Sequence, residues 1–271
     1  MMSWLVWGAS ILSGLFGAST GVGGGLILIP ALTGLGIDIK RAIAVSALSV
    51  VVVSNSAAAG YVRRHLPNLK VDAYLEVYAV LGSLVSALFI VAAKRRPLFF
   101  LCGSLLLLSG LLIWRRWKNP WKPVSQQEAW ARWLALEGSY YDDAEQRTIA
   151  YRARRAGLGG LLTFGAGIGV GSGAFTVLIQ NLIMGLPPKV SVTTSNLIIG
   201  VMALAGVSVY LEAGLIDLRL AVPVILGVPI GALLGSKLLV GVTNHVVRLC
   251  FLAALIALAI QLLIRGYLGL V

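Results

Sequence analysis

The sequence predicts an all-α polytopic membrane protein built from two homologous repeats of four hydrophobic segments each. Of its 271 residues 58% are hydrophobic and only 12% are charged, whereas soluble domains carry about 25% charged residues. The mean hydropathy is +0.92, and apolar runs of about 20 residues, long enough to cross a ~30 Å hydrocarbon core, recur along the chain. A membrane β-barrel is excluded because its strands would show short alternating segments.

The repeat is clearest in a glycine-rich stretch at 16–26, which recurs 148 residues later at 164–174. Seven of the first ten aligned positions are identical. From Gly36 and Gly185 onward the offset becomes 149. It then aligns Lys40 with Lys189, Ser46 with Ser195, Tyr61 with Tyr210 and Gly82 with Gly231. The chain is therefore a duplication of one four-segment unit.

The first segment, 4–35, would be ~48 Å long as one helix, which is too long for one straight crossing. Its two pieces, 4–18 and 24–35, are each too short to cross alone. Each glycine costs a helix about 1 kcal/mol relative to alanine, so the cluster predicts a helix break. The segment then either crosses with a kink or forms a re-entrant hairpin. If the first segment of each half (segments one and five) is broken, the eight segments become about ten helices.

The other segments of the first half are predicted at 42–60, 72–93 and 98–114, and those of the second half at 190–210, 217–240 and 245–268. Between the halves, the pattern predicts a short surface helix within 126–137 and a small β-hairpin around 139–151. The chain then consists of transmembrane repeat 1 (1–114), a linker (115–155) and transmembrane repeat 2 (156–271).

Positive charge predicts the orientation. Of 22 Lys and Arg residues, 14 lie on the linker side if segments one and five cross fully, and 15 if both are hairpins. The positive-inside rule then places the linker in the cytoplasm. It also explains the net charge of +12 without nucleic acid. Three crossings plus a hairpin per half would invert the second half, and we favour such inverted repeats, with discontinuous helices meeting near the midplane.

A broken helix exposes backbone N–H groups at the positive end of its dipole, and glycine lets a ligand approach them closely. A small oxyanion is the natural guest. Hydroxyl and amide side chains near the breaks, or at matching places in the two halves, would complete its site. The predicted binding residues are Thr20, Gly21, Gly23, Gly24, Gly25, Ser46, Gly169, Gly171, Ser172, Gly173, Thr194, Ser195 and Asn196.

Simpler explanations exist for these residues. Small residues four apart also mediate close helix packing in membranes, and serine or threonine can bond its own helix backbone. Cys102 and Cys250 are interpreted as small buried hydrophobes, with a redox or sulfur-chemistry role as the alternative. His65 and His245 lie in non-equivalent places, so no metal or other cofactor is expected. The sequence shows no nucleophile–base pair, and we predict no enzyme.

The features that carry a family resemblance are the Gly21-x-Gly23-Gly24-Gly25 break, Pro30, the Lys40-Arg41-x-x-Ala44-x-Ser46 motif and the repetition of this pattern in the second half. In these features the chain resembles the sulfite exporter TauE/SafE family, also called the toluene-sulfonate uptake permease group. The resemblance covers nearly the whole chain. It implies transport, often as export, of sulfite or an organosulfonate such as sulfoacetate, by a multi-pass protein of the cell (inner or plasma) membrane. From the two repeats we expect alternating access, with one repeat moving against the other. The second half departs from the pattern, with Ser172 in place of a glycine and Leu178 in place of Pro30.

The expected partners are this small sulfur-containing anion and the lipid bilayer, with no nucleic acid; a homo-oligomer stays open. Two other functions also stay open: an uncoupled anion channel or facilitator, and a non-transporting membrane scaffold or accessory protein. The proton-relay version of transport has no clear carrier, because every acidic residue of the apolar segments lies near a segment end.

Overall fold

A computed structural model describes residues 2–20, 23–63, 65–117, 128–142, 146–168, 173–241, 256 and 259–269. Four of its helices are long and apolar enough to cross a membrane: Ile39–Val62, Leu69–Ala92, Pro188–Glu212 and Leu218–Lys237. The predicted class, a helical membrane protein, is confirmed. The first half contains α1 (Met2–Thr20), α2 (Gly25–Gly34), α3 (Ile39–Val62), α4 (Leu69–Ala92) and α5 (Arg95–Trp117).

Polar residues set the helix starts in the first half. The Asp38 side chain accepts the Lys40 N–H at the start of α3. The Asn68 side chain accepts the N–H groups of Lys70 and Val71 at the start of α4. Such N-caps satisfy donors that the first helical turn leaves unpaired.

The linker contains the short helix α6 (Ala129–Trp133) and an antiparallel hairpin of β1 (Glu137–Asp142) and β2 (Arg147–Arg152). Tyr140 pairs with Ile149 across the two strands. A helix and a β-hairpin therefore occur where the sequence predicts them, although the helix is shorter than expected. Its position on the membrane surface stays a prediction.

The second half contains α7 (Ala156–Ile168), α8 (Gly173–Leu178), a π-helix (Ile179–Ile183), α9 (Pro188–Glu212), α10 (Leu218–Gly241) and α11 (Ala259–Leu268). Proline begins α9, where its missing N–H costs nothing. The aligned glycines Gly36 and Gly185 both have positive φ, at 85° and 75°, and both stand in the turn between a short helix and the next long one.

The first segment is broken where the glycines predict, and the chain turns back there. The Ser13 hydroxyl donates to the Gly24 carbonyl at 2.9 Å, although residues 11 apart in one helix lie about 16 Å apart. A Cβ added to Gly17 would lie 2.5 Å from the Gly24 nitrogen. The returning chain thus packs directly on α1.

The second broken segment closes in the same way at its ends. The Arg154 N–H donates to the Met184 carbonyl at 2.9 Å, and a Cβ added to Gly159 would lie 2.8 Å from the Met184 sulfur. One continuous helix would separate residues 154 and 184 by about 45 Å. The stretch from 154 to 184 therefore returns to where it starts.

Helices of one half of the chain pack on helices of the other half. The broken-segment helix of each half packs on the third segment of the other half, α1 on α10 and α7 on α4. The second segments, α3 and α9, pack on each other. Aligned glycines lie at both of these helix contacts. A Cβ at Gly82 would overlap the Phe164 carbonyl oxygen, and a Cβ at Gly231 would overlap the Ile11 carbonyl oxygen.

Candidate functional site

The tip of the first broken segment requires glycine. Gly23 and Gly24 have φ values of 84° and 66°, a left-handed conformation that side chains with a Cβ rarely adopt. A Cβ at Gly24 would also lie 2.5 Å from the Ser13 carbonyl oxygen. These two positions therefore need glycine for backbone conformation and for space.

Gly23 lies between the two central helices. A Cβ at Gly23 would lie 2.7 Å from Ile199 Cδ1 on α9 and 3.0 Å from Val50 Cγ1 on α3. Val50 and Ile199 are aligned in sequence at the offset of 149. The first break thus reaches the place where equivalent helices of the two halves meet.

Two hydrogen bonds tie the end of α1 to the same two helices. The Ala18 carbonyl accepts the Tyr61 hydroxyl of α3 at 2.8 Å and the Asn196 Nδ2 of α9 at 3.2 Å. The Ser54 hydroxyl of α3 donates to the Asn196 backbone carbonyl. Asn196, a predicted binding residue, is thereby at the junction of α1, α3 and α9.

The predicted serine pair occupies matching places. Ser195 donates to the carbonyl of Gly173, the first residue of α8, at 3.3 Å. In the first half, a Cβ at Gly25, the first residue of α2, would lie 3.5 Å from the Ser46 carbonyl oxygen. Both serines are buried. The Ser46 hydroxyl bonds its own helix through the Ile43 carbonyl at 2.8 Å, which is the simpler role considered above.

The amides at the first break are partly engaged within the protein. The Gly25 N–H donates to the Gly23 carbonyl at 2.6 Å, and the Gly24 nitrogen faces Gly17. Gly21, Gly169, Gly171 and Ser172 lie outside the described residues, as does the side chain of Thr20. The structure thus brings Gly25 together with Ser46 and Gly173 together with Ser195.

Thr194, also a predicted binding residue, contacts the start of α4 and not the glycine breaks. Its hydroxyl oxygen accepts the Asn68 N–H at 2.9 Å, which joins α9 to the start of α4. The Asn68 side chain donates to the Tyr151 hydroxyl at 3.1 Å. Burial raises the pKa of the Tyr151 hydroxyl, and the Asn68 hydrogen bond opposes that rise. Thr194 therefore connects the transmembrane helices with the β-hairpin, on which an open cavity of about 550 Å³ lies.

Two buried amide side chains have atoms without a hydrogen-bond partner among the described residues: Oδ1 of Asn196, and both Oε1 and Nε2 of Gln180. An unpaired buried polar group costs about 1–3 kcal/mol, so such groups are informative. The prediction included Asn196 but missed Gln180, for which the change of offset from 148 to 149 was the available signal. No cluster of three potential metal ligands occurs within the described part of the chain.

Comparison with known proteins identifies the family. The model of the family described as "Sulfite exporter TauE/SafE" matches residues 6–262. The chain belongs to this family. The TauE/SafE match includes both glycine breaks, the linker and all four long helices, as the sequence resemblance implied.

A curated relative of this TauE/SafE chain is the "Probable membrane transporter protein YunE" of Bacillus subtilis (strain 168). The two are 23% identical over 270 residues, covering 94% of this chain and 95% of the relative. No solved structure matches the chain significantly. Family and relative point to a membrane transporter and not to an enzyme.

Proposed function

We propose that the protein is a membrane transporter that exports a small sulfur-containing anion, sulfite or an organosulfonate such as sulfoacetate. Membership of the TauE/SafE family supports the substrate class. The observation that carries the mechanism is the position of Gly23 between Val50 and Ile199. A broken helix that ends between equivalent helices of two repeats is the arrangement in which many transporters bind their substrate.

The anion would bind between the two breaks. Backbone N–H groups near Gly23–Gly25 and Gly171–Gly173 would meet its oxygens, and the Ser46 and Ser195 hydroxyls would complete the site, with Thr20, Ser172 and Asn196 beside it. Because the Gly25 N–H and the Ser46 hydroxyl now bond within the protein, binding requires them to exchange these partners for the anion. Thr194 would act less directly, through α4.

We further propose that the repeats are inverted. α1 runs parallel to α10, because Gly227, Gly231 and Gly235 lie in order against Trp7, Ile11 and Leu15. Asp38, before α3, pairs with Arg95, before α5, at 2.5 Å.

α4 runs parallel to α9, because the Asn68 N–H donates to the Thr194 hydroxyl near the start of both helices and the Ser83 hydroxyl donates to the Met202 carbonyl further along both. α4 and α9 therefore end on the same side, where α5 and α10 begin. Together these contacts support one membrane side for the start of α1, the end of α2 and the start of α10. Each half would then cross three times, and alternating access would follow from motion between the halves.

The inverted arrangement places 15 of the 22 Lys and Arg residues on the linker side. The positive-inside rule therefore supports a cytoplasmic linker. The inner or plasma membrane is what membership of the TauE/SafE family suggests.

The function is tested by flux in proteoliposomes with sulfite, sulfate, thiosulfate, taurine, sulfoacetate and nitrate. We expect protein-dependent flux of sulfite or an organosulfonate and little of nitrate. Liposomes with protein that move none of the sulfur compounds faster than empty ones would contradict the proposal.

An uncoupled anion channel is the second candidate, favoured by the absence of a central acidic residue from every apolar segment of the sequence. Flux that follows only the electrochemical gradient of the anion, and ignores imposed pH or Na⁺ gradients, would identify it.

A further inference from the structure

The second broken segment contains one residue more than the first. The glycine break aligns at an offset of 148 and the following turn, Gly36 with Gly185, at 149. One residue is therefore inserted between Gly173 and Gly185. The π-helix at Ile179–Ile183 lies within this interval, and its Met184 N–H donates five residues back to the Ile179 carbonyl at 3.0 Å. A π-turn accommodates one extra residue in a helix, and such turns are frequent at functional sites.

Gln180 lies in the π-helix and is fully buried. Neither Oε1 nor Nε2 of its amide has a hydrogen-bond partner within the described part of the chain. Its backbone carbonyl, in contrast, accepts the Leu186 N–H at 2.9 Å. The neighbouring Asn181 amide is also engaged, donating to the Leu186 carbonyl at 2.7 Å. Of these groups in the described π-helix, the unpaired ones are thus the two polar atoms of the Gln180 side chain.

The first half has no counterpart of this amide. The residues aligned with Gln180 are Leu32 at an offset of 148 and Ala31 at an offset of 149, and both are apolar. Leu32 is fully buried in the hydrophobic core. A buried Gln that only filled space would be replaced by leucine without loss, since an unpaired amide in an apolar interior is unfavourable.

The position suits a ligand contact. Gln180 lies seven residues after Gly173, about 10 Å along the helix, and so between the second break and the linker-side end of the segment at Met184. The π-helix packs against α9, the helix that carries Ser195 and Asn196. An anion that moves between the break and the linker side would follow this helix.

We propose that Gln180 is a substrate-binding residue of the second repeat, whose Nε2 donates to an oxygen of the transported anion while its Oε1 accepts from a water molecule that accompanies the anion. This inference rests on the proposed anion transport. A neutral amide supplies donors without a fixed charge, so it binds an anion and also releases it. The inserted residue thereby makes the two half-sites chemically different.

The test compares wild-type protein with Gln180→Leu, which restores the residue type of the first repeat. Asn55→Leu is the matched control, because Asn55 is an exposed amide on α3 that donates to its own Val51 carbonyl at 3.0 Å. Sulfite and sulfoacetate flux in proteoliposomes gives KM and maximal rate, and melting in detergent reports folding.

We expect Gln180→Leu to raise KM about tenfold, equivalent to about 1.4 kcal/mol, without lowering the melting temperature. Asn55→Leu should leave KM unchanged. A Gln180→Leu protein with wild-type KM overturns the inference, and if it also melts earlier, the amide holds only a structural water. Should the wild-type protein move neither anion, the proposed function fails and this ligand assignment fails with it.

Discussion

At the residue scale, the Ala18 carbonyl organises the junction of three helices. It accepts one hydrogen bond from Tyr61 and one from Asn196. Both donors are buried, so no water can easily replace them in an apolar interior. The end of α1 is thus held to α3 and to α9 by one oxygen atom.

Removing these donors singly and together tests the junction. Tyr61→Phe and Asn196→Ala should each cost about 0.5–1.5 kcal/mol, because the carbonyl keeps one donor. The double variant should cost more than the sum, because the buried carbonyl is then unpaired. Melting temperatures in detergent provide the measurement, with the exposed Tyr267→Phe as control. Simple additivity would show that the two bonds are independent.

At the element scale, glycines allow the close packing of α1 on α10 and of α7 on α4. The aligned pair Gly82 and Gly231 has the same role in the two contacts. Small residues of this kind let helix backbones approach in membranes, where lipid removes the hydrophobic drive for association.

Gly231→Ala should therefore destabilise the protein by about 1–3 kcal/mol, the usual effect of overpacking. Gly8→Ala is the control on the facing helix, because a Cβ there has nothing within 4 Å. It should be neutral or slightly stabilising, since alanine favours a helix by about 1 kcal/mol. Equal melting temperatures for the two variants would contradict the packing described for α1 and α10.

The linker hairpin is tied to the transmembrane helices through Asn68. Asn68→Ser keeps an oxygen that can cap α4 but is too short to reach the Tyr151 hydroxyl. We expect α4 to keep its stability while proteases cleave the linker several-fold faster, since lost hydrogen bonds favour local opening. Unchanged cleavage of the linker would show that Asn68 does not hold the hairpin.

A feature of this fold could be predicted from the sequence when it depends on neighbouring residues, and could not when it depends on how distant helices pack. The break between α1 and α2 was predictable, because segment length and glycine content are local properties of the sequence. The equivalence of Ser46 and Ser195 was also accessible, through the duplication. The position of Gly23 between Val50 and Ile199 was not, because it depends on how α3 and α9 pack. The π-helix left a trace in the offset, but only its burial reveals the unpaired Gln180 amide.

At the scale of the whole molecule, inverted repeats require both broken segments to return to the side on which they start. Single cysteines test this after Cys102 and Cys250 are replaced by alanine. Trp4→Cys and Arg41→Cys should react with a membrane-impermeant reagent from the periplasmic side. Arg152→Cys and Lys189→Cys should react only from the cytoplasmic side. Labelling of Trp4→Cys and Arg41→Cys from opposite sides would mean that the first segment crosses the membrane.

The central claim is that the glycine break forms part of the transport site for a sulfur-containing anion. Its most direct test is sulfite and sulfoacetate flux in proteoliposomes containing Gly24→Val, with Gly171→Val for the second break and Gly8→Val as the control within α1. We predict that both break variants insert into the membrane but move no anion above empty liposomes, whereas Gly8→Val transports like the wild-type protein. Wild-type flux through either break variant would contradict the claim.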